Sequence, residues 1–131
     1  MKPIRTLLVD DNAMLRLSLA ILLETYDSFQ IVGQAADGQQ AIDLYRLLQP
    51  DVVLMDLLMP NVDGVRATGA IHRKHPDIQI FVLTSTTDQA LIRKALDAGA
   101  AGYLLKNVSG QEIMTAVHDA YGAAIAAGGS I

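Results

Sequence analysis

The chain has no cysteine and no tryptophan, only four Tyr and two Phe, four prolines, and no run of Lys or Arg. Without cysteine there are no disulfides, iron–sulfur clusters or thiolate zinc sites, and a reducing compartment, the cytoplasm, is the expected setting. Ten Lys and Arg against fourteen Asp and Glu leave a net charge of −4 and a pI near 5.1. An acidic surface argues against nucleic acid or an anionic membrane as the main partner of these residues. Nowhere do about 18 apolar residues follow one another, as a membrane span requires. Met1-Lys2-Pro3-Ile4 runs directly into a strand-like stretch, so neither export nor membrane insertion is expected.

What the chain does have is apolar material: 51% hydrophobic residues with 18% charged over 131 residues. A chain of this size buries roughly 68% of its unfolded surface, which is enough for one domain with its own core. Five short aliphatic runs read as strands: Ile4 to Val9, Gln30 to Ala35, Val52 to Met55, Ile78 to Leu83 and Gly102 to Leu105. Helical spacing follows each one. Met14, Leu17, Ile21 and Leu22 share the apolar face of the first helix, with Arg16, Ser18 and Glu24 elsewhere. Ala41, Ile42, Tyr45 and Leu48 mark the second helix, Val65, Thr68 and Ile71 the third, and Leu91, Ala95 and Leu96 the fourth. The fifth starts at Ser109, whose side chain can pair with Glu112 in a capping box, and carries Ile113, Ala116, Val117 and Ala120.

Strand followed by helix, five times at about 25 residues per unit, implies parallel strands joined by crossover helices. The fold class is α/β: a doubly wound five-stranded parallel sheet, (βα)5, in the flavodoxin-like order 2-1-3-4-5. Strands three and four lack polar alternation and should be central. Residues 1–122 form the domain, and the Ala- and Gly-rich 123–131 reads as the end of helix five entering a linker.

In such a sheet, ligands bind beyond the carboxyl ends of the strands. Those ends carry Asp10-Asp11, Asp56, Thr84-Ser85 and Lys106. Taken singly, each has an ordinary explanation: a helix cap for Asp10, Asp11 or Asn12, a turn for Thr84 or Ser85, a solvated ammonium for Lys106. Together they put three carboxylates, a hydroxyl and an ammonium on one edge. Three converging acids raise one another's pKa unless a cation joins them, and hard oxygen ligands without Cys or a His cluster point to Mg²⁺. A cation on Asp11 and Asp56 beside Lys106 would neutralise a phosphoryl dianion in transfer to a carboxylate, with Asp56 as the best nucleophile.

These residues also carry a family resemblance. Asp10-Asp11 after strand one, Asp56-Leu57-Leu58-Met59-Pro60 with Asp63-Gly64, Thr84 after strand four, and Gly102-Tyr103-Leu104-Leu105-Lys106 resemble the receiver domain of two-component response regulators, over essentially the whole chain. The resemblance implies that a sensor histidine kinase phosphorylates Asp56. It further implies that Asp11, Asp56 and the Leu58 carbonyl bind Mg²⁺ with Asp10 assisting through water, that Lys106 and Thr84 contact the phosphoryl group, and that Thr84 and Tyr103 form the switch. Such a domain acts only on its own aspartyl phosphate. Where many relatives have a cis proline after the lysine, this chain has Asn107, and a cis non-proline bond would cost about 3 kcal/mol. That loop and the Gly-Tyr-Leu-Leu-Lys run resemble receivers that precede a LuxR-type helix-turn-helix, so DNA binding would belong to a further domain of a longer protein.

Rival readings are set apart by particular residues. A flavin electron carrier needs a phosphate-cradling loop after strand one, where Asp10-Asp11 would repel the phosphate. An Asp-nucleophile phosphatase wants a second acid two residues after the nucleophile, where Leu58 stands. A receiver serving only as a scaffold would have lost acids, hydroxyl or lysine, and all are present. His72 and His75 read as a solvated helix end before Pro76. The Ala-rich fifth helix suits ordinary packing or a homodimer surface equally, and its spacing does not distinguish them.

Overall fold

The structure, a computed structural model, describes residues 2–126. Ten elements alternate: β1 (Ile4–Val9), α1 (Ala13–Glu24), β2 (Phe29–Ala35), α2 (Gly38–Leu48), β3 (Val52–Met55), α3 (Gly64–Lys74), β4 (Gln79–Thr84), α4 (Gln89–Ala98), β5 (Gly102–Leu105) and α5 (Gly110–Ala126). All strands are parallel in the order β2-β1-β3-β4-β5. β3 is central and wholly buried, as its unbroken Val-Val-Leu-Met run requires of a strand covered on both faces.

Alternation along the strands divides the core in two. Leu8, Leu54, Phe81 and Leu83 face Ala20 and Leu23 of α1 and Ile113 and Val117 of α5. Leu7, Val9, Val53, Met55 and Ile80 face Ala41 and Tyr45 of α2 and Ala67 and Ile71 of α3. A smaller cluster of Leu57, Val82, Ala95 and Ala100 seats α4.

Each helix is started by a short polar side chain that accepts from an otherwise unpaired amide. Asn12, Asp37, Asp63 and Asp88 accept from Leu15, Gln40, Arg66 and Ala90. Ser109 accepts from the Glu112 amide as the expected cap does, but the Glu112 carboxylate takes the Ser109 hydroxyl at 3.4 Å and not its backbone amide, so only half of the capping box forms. The end of α2 is closed from outside: the Arg5 guanidinium donates to the carbonyls of Leu48 and Gln49.

Two expectations change. The apolar face of α1 does not enter the core: Met14 is 75% exposed and Ile21 62%, with Leu17 and Leu22 also exposed, while Ala20 and Leu23 are buried. Six of the seven residues from Leu17 to Leu23 are apolar, so spacing could not select a face, and packing on α5 chose the one with Ala20. Nor do the histidines of α3 form a solvated end. The His75 ring packs on Tyr45 at 4.7 Å, and His72 lies half-buried against Gly99, whose φ of 125° turns the chain away from α4. No helix among the described residues is long and apolar enough to cross a membrane. Of the segment 123–131 assigned to a helix end and linker, α5 includes residues through Ala126, and 127–131 lie outside the described residues.

Candidate functional site

The residues expected at the strand ends do meet. β1 delivers Asp10 and Asp11, β3 delivers Asp56, β4 ends on Thr84, and β5 is followed by Lys106. Carboxylate oxygens of Asp10, Asp11 and Asp56 all lie within 4.8 Å of one another, with Asp10 and Asp56 buried and Asp11 exposed. The Lys106 Nζ lies 2.7 Å from Asp10 Oδ2 and 3.4 Å from Asp56 Oδ2. One ammonium thus faces three carboxylates, a deficit of positive charge that a divalent cation fits.

The electrostatics follow from burial. Asp56 is 4% exposed, and that burial pushes its carboxyl above the ordinary value of 3.8. The Lys106 charge pulls it back and the Asp10 charge adds to the rise. For Lys106, burial alone lowers the pKa, but its hydrogen bond to Asp10 and the two carboxylate charges outweigh this and leave it above 10.5. Lys106 is therefore a fixed cation in the site.

Backbone contacts hold these side chains. The Asp56 amide donates to the Val9 carbonyl at 3.0 Å and the Asn12 amide to Asp10 Oδ1 at 2.9 Å. The Lys106 amide donates to the Thr84 carbonyl at 2.9 Å, tying the lysine to the end of β4. Among the described residues no peptide bond is cis, so Lys106-Asn107 is trans and the lysine reaches both acids from that geometry. Thr84 is fully buried, with Oγ1 accepting from the Thr86 amide at 3.2 Å. Tyr103 pairs with Val82, two residues before the Thr84 pair with Leu105, so Thr84 and Tyr103 share a face of the sheet. Tyr103 is exposed there.

Two supporting residues escaped the reading of the sequence. Arg16, placed on the polar side of the first helix, reaches back to donate to the Asp10 carbonyl at 2.6 Å and to Gln34 Oε1 at 3.1 Å. Nothing in the local pattern marks it, since its partners lie on other elements. Gly64 was noted only as part of the Asp-Gly motif. A Cβ there would overlap the Asp56 carbonyl oxygen, so only glycine lets α3 start against the backbone of the buried acid.

An acidic pocket with one lysine and one buried threonine, at the carboxyl edge of a 2-1-3-4-5 sheet, points to a receiver-type signalling domain more closely than the fold alone could. The chain belongs to the response regulator receiver domain family, whose model matches residues 6–118. It is 43% identical over 117 residues to the transcriptional regulatory protein LiaR of Bacillus subtilis, covering 89% of this chain and 56% of that protein. It is 41% identical over 114 residues to the response regulator protein VraR of Staphylococcus aureus, covering 87% and 54%. The chain therefore spans about half the length of the curated relatives it matches. Among solved structures it resembles the receiver domain of the response regulator NarL of Mycobacterium tuberculosis, with TM-score 0.87, 31% identity, and 92% and 98% of the two chains covered. A LuxR-family response regulator of Aurantimonas is similar, with TM-score 0.87, 33% identity, and 92% and 86% covered.

Proposed function

We propose that Asp56 accepts a phosphoryl group from a phosphohistidine of a sensor kinase, and that the resulting acyl phosphate resets the surface around Thr84 and Tyr103. The observation that carries this is Asp56 itself, a buried carboxylate 3.4 Å from a fixed ammonium at the end of the central strand. In the transfer, an Asp56 carboxylate oxygen forms the new bond to phosphorus as the bond to the kinase imidazole breaks, and the electron pair leaves with the imidazole. Lys106 stands where it can follow the phosphoryl oxygens. The Thr84 hydroxyl donates to one of them after moving from its contact with the Thr86 amide, and the space it leaves is open to Tyr103.

Asp11, Asp56 and the Leu58 carbonyl, with Asp10 through water, are the groups to hold Mg²⁺, and three carboxylate oxygens within 4.8 Å suit that hard cation. When bound, Mg²⁺ would offset the charge gathered as a dianion approaches three acids. The domain would thus catalyse only its own phosphorylation and hydrolysis.

For the kinase, the exposed Met14, Leu17 and Ile21 of α1, the helix that follows Asp10 and Asp11, and the exposed Leu58, two residues after Asp56, offer apolar contact. In this reading residues 1–122 are the receiver, 123–131 end helix five and start a linker to a helix-turn-helix output domain of a longer cytoplasmic protein, and DNA contacts lie in that domain. The similarity to a transcriptional regulatory protein and to a LuxR-family regulator supports it.

Intact mass after incubation with acetyl phosphate tests the central claim. The wild-type chain should gain one phosphoryl group with Mg²⁺ and far less without it, and Asp56→Asn should gain none. Equal labelling of Asp56→Asn would move the phosphoacceptor elsewhere.

A further inference from the structure

Away from the acidic pocket, a groove that phosphoryl transfer does not use runs across α3 between α2 and the end of α4. Its two larger sections, of about 650 and 480 Å³, join through Ile42, Ala70 and Arg73. A third, of about 370 Å³, continues from the second past Tyr45, Lys74 and His75. Ile42, Ala70 and the buried Tyr45 give it an apolar floor, while Arg66 and Arg73 line one wall and Arg46 the other. Asp97 lies at one end, Asp51 and Asp77 at the other, so the middle is cationic although the chain carries −4 overall.

The arginines of this groove differ from those elsewhere. Arg5 and Arg16 spend their guanidiniums on backbone carbonyls. Among the described residues, Arg46, Arg66 and Arg73 have no ion pair and no side-chain hydrogen bond. His72 lines the same groove, and its buried Nδ1 has no hydrogen-bond partner. Arg66 and Arg73 are seven residues apart on α3, two turns or about 10.5 Å along one side of the helix. Gly69 lies between them, and a Cβ there would rest in ordinary van der Waals contact with Ala98 Cβ at 3.8 Å and Arg73 Nη1 at 3.9 Å, so a methyl fits at this point but a larger side chain would enter the groove.

We propose that this groove docks an acidic amphipathic helix of a partner protein. Small apolar side chains of that helix would lie over Ile42 and Ala70, with carboxylates two turns apart against Arg66 and Arg73 and a third toward Arg46. Charge complementarity selects this occupant: carboxylates match the three unpaired guanidiniums, which a purely apolar helix would leave unused. α3 starts at Gly64, against the backbone of Asp56, so an occupant of the groove rests on the helix that also supports the phosphoacceptor loop.

The test is a titration of the ¹⁵N-labelled chain with a synthetic helical peptide of about fifteen residues. The peptide carries Glu two turns apart and Ala between them, and a scrambled peptide of the same composition serves as control. Saturable amide shifts confined to Ile42, Arg46, Gly69, Ala70 and Arg73 are expected, weakened about tenfold by the double change Arg66→Glu with Arg73→Glu. Gly69→Leu, which fills the groove without altering its charge, should weaken binding as strongly, with dispersed spectra showing that both variants fold. Equal binding of the scrambled peptide, shifts on α1 instead, no saturation at millimolar peptide, or insensitivity to Gly69→Leu would each overturn the proposal. So would inorganic polyphosphate saturating the same amides more tightly than the peptide, which would make this a general polyanion site. Acetyl phosphate labelling of Asp56 in the same variants should be unchanged, separating this result from the fate of the phosphoacceptor reading.

Discussion

Two helices of this domain begin with the same dipeptide, and the two beginnings do different work. Asp37-Gly38 opens α2 and Asp63-Gly64 opens α3; in both, Asp accepts from the amide three residues on. In both, glycine is required because another backbone occupies the place of a Cβ. Gly38 abuts the Val62 carbonyl, to which its amide also donates at 2.8 Å, whereas Gly64 abuts the Asp56 carbonyl and donates to Leu57 at 3.0 Å. The two contacts run in series: α2 braces the loop before α3, and α3 braces the backbone at Asp56. The same local chemistry therefore serves a scaffold in one place and the proposed phosphoacceptor in the other.

The comparison breaks if Gly38 and Gly64 respond alike to a methyl group. Gly64→Ala should have the largest effect, about 2 to 4 kcal/mol of lost stability, since a backbone carbonyl beside a buried carboxylate has little room to yield. It should also slow acetyl phosphate labelling of whatever fraction remains folded. Gly38→Ala should cost somewhat less, about 1 to 3 kcal/mol, and leave labelling of the folded chain close to wild type. Urea melts with parallel mass spectrometry give both readouts; equal loss of labelling would place Gly38 in the site as well.

A second measurement separates the backbone of Asp56 from its charge. Burial raises its carboxyl pKa, so the folded chain holds that proton more tightly than the unfolded chain does. The ionised form therefore costs stability. The cost is absent well below the ordinary value of 3.8, grows as pH rises toward the higher folded value, and is constant above it. Asp56→Asn should accordingly melt higher than wild type at neutral pH, with the gap closing in acid. Added Mg²⁺ should raise the wild-type midpoint more than that of the variant, because a ligand stabilises only the state that binds it. A gap independent of pH would mean that Asn gains by packing rather than by loss of charge.

Most of this arrangement was legible because its signals are local. Unbroken aliphatic runs such as Val52 to Met55 marked the buried strands, and acids, Thr84 and Lys106 at the strand ends marked the edge where they meet. What sequence could not show depends on partners distant along the chain. Arg16 matters through a carbonyl six residues back and through Gln34 on another strand. The side of α1 that turns inward was fixed by α5, about ninety residues later, in a helix whose apolar residues cover nearly every face. His75 is only partly exposed because Tyr45, on a different helix, provided a ring to pack against.

A third glycine sharpens the contrast with the smallest effect. Gly69 sits inside α3 with no backbone pressed against it and a negative φ, so neither close approach nor a left-handed turn demands it. A mid-helix glycine costs roughly 0.5 to 1 kcal/mol relative to alanine, because the unfolded chain has more freedom to lose. Gly69→Ala should therefore stabilise the domain by about that amount, its methyl resting at van der Waals distance from Ala98 and Arg73. Thermal melts of the three variants then rank the glycines by what abuts them, with Gly64 most costly, Gly38 next and Gly69 favourable. If Gly69→Ala destabilises instead, α3 and α4 pack more closely than their separation here allows, and the space at the centre of the cationic groove is not free.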